Sequence, residues 1–383
     1  MIASKSLANC PIHCDALAER VARGDVSDPT SLRKAEHLDL AQKMDDGANG
    51  SPGWSDVHLI HQALPNINAD DVDVSTVLMG RTLSLPLVVV GMTGGHPGAH
   101  EINRILASAS QKAGIAIGTG SQRAALEHPE LASSYTVIRE EAPSAFVIGN
   151  IGINQITNYH EEGSLEKYVD TLIEMVRADA LAVHLNYLEE MIQPEGQTTA
   201  RGAIQALETV VQLSPVPIIA KETGGGLSGE VARILKDIGI SVLDVGGRGG
   251  TSFAAIEAER SRARGDERRS ELGASLATWG IPTAVSVRAC ADILPTIGVG
   301  GVRTGVDAAK AIALGAVATG VGRPLLMCAT EGEAAVLRWL DGFELQLRSA
   351  MFLAGAHRVT DLAQATRVVL GTTGEWLRQL SLH

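Results

Sequence analysis

From Leu87 to Gly320 one arrangement of apolar and polar positions recurs. A short apolar run, rich in β-branched residues, is followed by a glycine-rich or polar turn and then by a helical period. The runs are Leu87–Gly91, Gly114–Ile117, Ala145–Ile148, Leu181–Val183, Val216–Ala220, Val242–Val245, Pro295–Val299 and Ala316–Gly320. Most are about thirty residues apart, the length of one βα unit. Strands that are apolar on both faces indicate a parallel sheet covered on both sides. Eight such units predict a (β/α)₈ barrel of the TIM type, with a doubly wound sheet as the alternative.

Outside this repeat the pattern changes. Residues 1–30 read as a loose N-terminal extension, and residues 31–383 as one barrel domain with its additions. The lead-in carries RKAEHL (Arg33–Leu38), an HQALP turn and a short strand around Val72–Val74. Ser252–Gly280 contains the charged run ERSRARGDERRSE, expected as a solvated helix or mobile loop. Glu331–His383 reads as amphipathic C-terminal helices that cover the barrel and offer apolar surface to a homo-oligomer.

Composition narrows the partners. Forty-five per cent of the residues are hydrophobic and only 3% aromatic, so the core is mostly aliphatic. The net charge of −12 disfavours nucleic acid and anionic membranes, yet a local group of basic residues can still hold an anionic small molecule. Four cysteines in so long a chain point to a reducing compartment. Cys10 and Cys14 with His13 lack further ligands at matching spacing for a metal site. No apolar run has the length of a membrane span, and no signal-peptide core opens the chain, so a cytoplasmic protein is expected.

Chemistry gathers where the predicted strands end. The turns read MTGG, GTGSQR, GNIG, HLN, KETGGG, GGRGGT, GVGGVRTG and TGVGR. In such barrels this end carries the active site, and the last two loops are the usual phosphate site. Arg303 and Arg323 could supplement backbone N–H groups there. Tight βα turns alone would also explain the glycines. Neither a Walker lysine pattern nor a dinucleotide fingerprint in context is present. Lys221 should point into the mouth, near an electron-rich ring edge of a cofactor or in an ion pair with Glu222 or another acid. Ser121, Asn150 and Thr251 end strands two, three and six. They can hydrogen-bond a heterocycle, and together with a terminal phosphate they fit FMN. The fourth turn opens HLNYLEEMIQPEG, His184–Gly196, with three carboxylates: Glu189, Glu190 and Glu195.

RKAEHL, HQALP, GMTGG, GTGSQRAAL, GNIG, HLN with QPEG, KETGGGLS, DVGGRGGT, WGIPT and GGVRTGVDAAKAIALGA occur in that order. In them the chain resembles the type 2 isopentenyl diphosphate isomerase family, from Arg33 to about Leu326. The resemblance implies an FMN-dependent barrel that converts isopentenyl diphosphate to dimethylallyl diphosphate, with the flavin reduced by NADPH. It implies FMN contacts by Met92, Thr93, Gly94, Ser121, Asn150, Lys221, Thr251, Gly301, Arg303, Val321 and Gly322. Arg33, Lys34, Gln122 and Arg123 would hold the diphosphate, and His37, His184 and Asn186 would lie around it and the reacting end. Glu190 would bind Mg²⁺. A tetramer or larger homo-oligomer follows from the same resemblance.

The chain departs from the family pattern at Glu189, where HLNxxQE has a glutamine. A carboxylate loses the amide's two N–H donors and adds charge. Protonated, it serves as a general acid; ionised, as a base or cation stabiliser. Glu189 is therefore a candidate catalytic and substrate-binding residue, with His184, Asn186 and Lys221. Val299, where the family often has serine, and Tyr187 are milder departures. Three readings follow: the isomerase; a paralogue doing acid–base chemistry, cyclisation or isomerisation, on another prenyl diphosphate; and a non-catalytic flavin- or prenyl-diphosphate-binding protein.

Overall fold

The computed structural model describes residues 36–37, 40, 50–96 and 98–382. Arg33, Lys34, the 1–30 extension and its Cys10, His13 and Cys14 lie outside the described residues.

All eight predicted strands form. They are β1 Leu87–Val89, β2 Ala116–Gly118, β3 Val147–Gly152, β4 Ala180–Leu185, β5 Ile218–Glu222, β6 Val242–Asp244, β7 Thr296–Val299 and β8 Ala318–Val321. Each pairs in parallel with the next. β8 returns to β1 with Thr319 opposite Leu87 and Val321 opposite Val89, so the sheet is a closed barrel and not an open doubly wound one.

Strand alternation builds two cores. Val88, Ile148, Ala182, Ile219 and Ile297 fill the barrel interior. Leu87, Val89, Val147, Leu181 and Leu243 pack outward in the larger core that takes in the helices. The antiparallel hairpin Thr76–Leu78 and Arg81–Leu83 adds Leu78 and Leu83 to the inner cluster. Its turn is Met79-Gly80, both at positive φ, the conformation that a two-residue hairpin needs. Thr76 donates to the carbonyl of Val317, just ahead of β8, so the hairpin closes the N-terminal floor.

The lead-in departs from expectation at Val72–Val74. Both valines are buried, which explains their strand-like alternation, but Asp73 makes only an isolated bridge to Arg358. Lead-in strands occur instead in the hairpin and at Val57–Leu59, which pairs antiparallel with Arg367–Val369. The C-terminal segment is helical as expected, and its longest helix, Glu333–Leu353, buries Phe343, Leu347 and Met351.

Residues 252–280 are largely helical, as expected of the charged run, whose Arg262, Glu267, Arg268 and Glu271 are exposed. They form helices Phe253–Ala263 and Glu267–Leu276, capped by the Ser252 and Asp266 side chains. Gly273 lies against the backbone of Ala254 and Ala258, so the two helices pack closely. Glu257, Arg260 and Ser261 are buried.

Candidate active site

The loops after all eight strands surround one cavity of about 290 Å³ at the C-terminal mouth. Its β6 and β7 sides meet backbone to backbone. Gly300 has φ +128°, and a Cβ there would lie 2.4 Å from the Gly247 carbonyl oxygen. Only glycine allows this approach. Gly301, Arg303, Gly322 and Arg323 line the same wall. The helix Gly305–Ala313 begins beyond it with a capping box between Thr304 and Asp307. The Asp307 carboxylate accepts the N–H groups of both Arg303 and Thr304 at 3.1 Å. An anion on this wall would therefore draw on the glycine loops, the two arginine side chains and the helix field.

Lys221 ends β5 inside the mouth. Its Nζ lies 3.3 Å from Asp244 Oδ2 and donates to the Glu222 carbonyl at 3.1 Å. Burial pushes Asp244 above its usual value, with Lys221 opposing. The Glu222 carboxylate accepts the N–H groups of Gly224, Gly225 and Gly226 at 2.6, 2.5 and 3.0 Å. Burial still pushes it up to about 7, against those three donors.

Asn150 fixes the state of His184. Asn150 Nδ2 donates to the Thr119 carbonyl at 3.0 Å, so its Oδ1 faces His184 Nδ1 at 2.9 Å. An amide oxygen only accepts, so Nδ1 carries a proton. In the neutral ring Nε2 is then the basic nitrogen.

On the opposite wall a chain of polar side chains begins at Glu189. Gln193 Nε2 donates to Glu189 Oε1 at 2.6 Å and to Glu257 Oε1 at 3.1 Å. Glu257 is fully buried; His37 Nε2 lies 2.5 Å from its Oε1, and Arg260 Nη1 donates to its Oε2 at 2.6 Å. Burial raises the Glu257 pKa, but His37 and Arg260 outweigh it and hold the group below its usual value. Arg260 also reaches Glu36 and Glu195. Oxygens of Glu189 and Glu257 and a nitrogen of His37 all lie within 4.8 Å of one another. The N–H groups of Gln193 and Arg260 already point at these carboxylates, which makes the group a hydrogen-bonded wall rather than a cation cage.

Glu190 faces a different set. Its carboxylate accepts from Asn186 Nδ2 at 2.9 Å and from the Gln197 N–H at 2.7 Å. Asn186 Oδ1 and Gln197 Oε1 are buried without a hydrogen-bond partner among the described residues. Carboxylate and amide oxygens are hard donors of the kind Mg²⁺ takes.

Most of the residues expected from sequence meet in the cavity: Met92, Thr93, Ser121, Asn150, Thr251, Gly301, Arg303 and Gly322, with Lys221, His184, Asn186, Glu189, Glu190, Arg123 and His37. Three do not line it. Gln122 is buried beneath the mouth, its Nε2 donating to the Leu172 carbonyl and its Oε1 accepting the Asn150 N–H. That corrects its assignment to the diphosphate. Val321 points its side chain into the outer core, which leaves only its backbone for a ligand. Gly94 sits against the Tyr135 ring, where a Cβ would lie 2.2 Å from a ring carbon. The sequence reading missed Gln193, Phe253, Glu257 and Asp244. Gln193 stood in view within QPEG, while Phe253 and Glu257 stand just ahead of the charged run ERSRARGDERRSE, expected as a solvated helix or mobile loop.

The donors suit a flavin mononucleotide: hydroxyls and an amide for a heterocycle, a lysine at the mouth, and glycine loops with two arginines for a phosphate. Among the described residues no helix is long and apolar enough to cross a membrane.

The profile of the FMN-dependent dehydrogenase family matches residues 156–368. The isopentenyl-diphosphate delta-isomerase of Methanothermobacter thermautotrophicus is 45% identical over 351 residues, covering 91% of this chain and 96% of that protein. That of Halobacterium salinarum is 46% identical over 356 residues, covering 92% and 97%. Among solved structures, a mandelate oxidase variant superposes with a TM-score of 0.59 at 18% identity, covering 92% of this chain and 99% of that one. A lactate oxidase of Pediococcus acidilactici gives 0.61 at 14% identity, covering 88% and 87%. At such identities the structural likeness concerns the fold.

Proposed function

The chain belongs to the type 2 isopentenyl-diphosphate delta-isomerase family, and we propose that it converts isopentenyl diphosphate to dimethylallyl diphosphate with reduced FMN and Mg²⁺. Similarity at 45% identity over 91% of the chain carries this reading. The cavity supports it, because cationic, amide and carboxylate groups of the expected kinds surround one space.

The reaction adds a proton to the terminal alkene carbon and removes one from C2, so no net proton or electron is exchanged. Reduced FMN supplies an electron-rich ring beside the alkene when bound, and NADPH serves as its reductant. The protein's share is placement and electrostatics. Arg123, with Arg33 and Lys34 beyond the described residues, would hold the diphosphate through charge-assisted bonds. Glu190, with the oxygens of Asn186 and Gln197, would hold Mg²⁺ against it. Lys221, anchored by Asp244, would face the cofactor ring. His184 presents Nε2 as a proton acceptor in its neutral form. Glu189 would place negative charge near a carbon that becomes cation-like. Exposed Leu345 and Leu353 on the long C-terminal helix are consistent with a homo-oligomer, and a cytoplasmic setting suits the reduced cofactor.

The test is an anaerobic assay of purified protein with FMN, NADPH, Mg²⁺ and isopentenyl diphosphate, beside Glu189→Gln. Dimethylallyl diphosphate from the wild type is the expected product. Flavin reduction without product from the wild type, but product from Glu189→Gln, would replace the proposal with the paralogue reading.

A further inference from the structure

A second, small cavity lies beside the first and shares with it Glu189, Thr223, Gly224, Gly250, Thr251 and Phe253. Among these, the large side chains between the two spaces are Glu189 and Phe253. On the far side stand Leu188, Ala254, Ala277 and Trp279, with Arg248 and Ser252, whose side chains donate to the Thr278 and Ala277 carbonyls. Apart from Arg248 and Ser252, the side chains of this far wall are apolar, and Trp279 is 65% exposed on its rim. The volume is about 10 Å³, room for about one water. Phe253 is held in place, because its helix is capped by Ser252 and its ring meets His37 edge-on with centroids 5.8 Å apart.

We infer that Phe253 is the chain-length determinant of the site: it closes the cavity behind the reacting end and restricts the substrate to a five-carbon prenyl diphosphate. The inference rests on the proposed reading, which puts the alkene beside Glu189. Additional isoprene units attach at the carbons farthest from the diphosphate. They would therefore extend past Glu189, toward the partition and the apolar space behind it. As built, that space cannot take another five-carbon unit. Removing the ring joins the two cavities and exposes Leu188, Ala277 and Trp279 to the tail.

The test compares isopentenyl diphosphate with its C10 homologue, which carries one further isoprene unit at the end remote from the diphosphate. Wild type, Phe253→Ala and Phe253→Ala/Ala277→Leu are assayed anaerobically with FMN, NADPH and Mg²⁺. In parallel, the saturated C5 and C10 diphosphates are titrated calorimetrically, which reads the wall without turnover. Phe253→Ala should raise the C10/C5 ratio of kcat/KM, and of affinity, at least about tenfold. Refilling the space with Ala277→Leu should reverse most of that gain. Phe253→Leu provides a milder enlargement should the alanine variant fold poorly. A wild type that takes C10 as well as C5, or a ratio unmoved by shortening Phe253, would overturn the inference. A wild type that binds the C5 diphosphate without converting it would overturn the isomerase reading, and the affinity ratios would still decide on the wall.

Discussion

Replacing Gln193 with methionine keeps the length of the side chain and removes both N–H donors. Two hydrogen bonds are lost, at 2.6 Å to Glu189 and 3.1 Å to Glu257. Their losses are unequal. Glu257 keeps His37 and Arg260, so its position is over-determined. Glu189 loses the shorter of the two bonds, which ties it across one helical turn. A hydrogen bond to a charged group contributes about 1.5–3 kcal/mol. If the bond is needed in the transition state, kcat should fall about 10- to 150-fold. KM for isopentenyl diphosphate should change little, because the proposed diphosphate site at Arg123 and Mg²⁺ does not include Gln193. The assay is initial-rate product formation with pre-reduced flavin, repeated in a Glu189→Gln background. There the new amide can itself donate to Glu257, so the two changes should be less than additive by at least about 0.5 kcal/mol. An identical fold loss in both backgrounds, or no loss in a folded Gln193→Met, would show that Gln193 does not position Glu189.

Lys221→Met should weaken FMN binding about tenfold or more, as flavin-fluorescence titration would read, since a charge-assisted contact is removed and Asp244 is left without its cation. Arg260→Met strips a charge partner from fully buried Glu257 and should lower the unfolding free energy by about 3–5 kcal/mol in urea titrations; an unchanged midpoint would show that the network contributes little. Glu222 has a folded pKa raised from 4.5 to about 7, so the folded state binds its proton more tightly than the unfolded chain does. Its contribution to stability should therefore be greatest below about 4.5 and be lost as pH rises through about 7. The difference in urea midpoint between wild type and Glu222→Gln should follow that window, and a pH-independent difference would contradict it.

The barrel was legible because its strands are buried on both faces, which leaves short uninterrupted apolar runs that few other structures produce. Where burial and pairing separate, the reading slipped: Val72 and Val74 are buried like strand residues but meet only a single bridge. The side of a turn on which a residue falls was also not legible. Gln122 and Arg123 are adjacent in GTGSQR, yet one is locked beneath the mouth by Leu172 and Asn150 while the other lines it. Glu257 was hidden because it stands just ahead of the charged run that begins at Glu259. A run of alternating charges usually marks a solvated face. Here Glu257 and Arg260, one turn apart, turn inward together, because His37, Glu36 and Glu195 arrive from distant parts of the chain to satisfy them.

That hidden wall bears on why a glutamate is accommodated at 189. The other acids in and around the mouth are also held: Asp244 meets Lys221, Glu222 meets three N–H groups, Glu190 meets the Asn186 amide and the Gln197 N–H, and Glu257 meets Arg260. Glu189 accepts from the Gln193 amide at 2.6 Å. The family's glutamine would bring N–H donors of its own to this point; with a carboxylate there, the donor comes from Gln193, one helical turn later. Hydrogen-bond balance is thus kept while the electrostatics change. Negative charge beside a carbon that becomes cation-like favours the transition state, whereas beside a diphosphate it disfavours binding. The exchange should therefore help kcat and harm KM, provided the diphosphate and Glu189 stand at opposite ends of the substrate. A wall at Phe253 enforces that separation, because a five-carbon chain stopped there cannot slide its diphosphate toward Glu189.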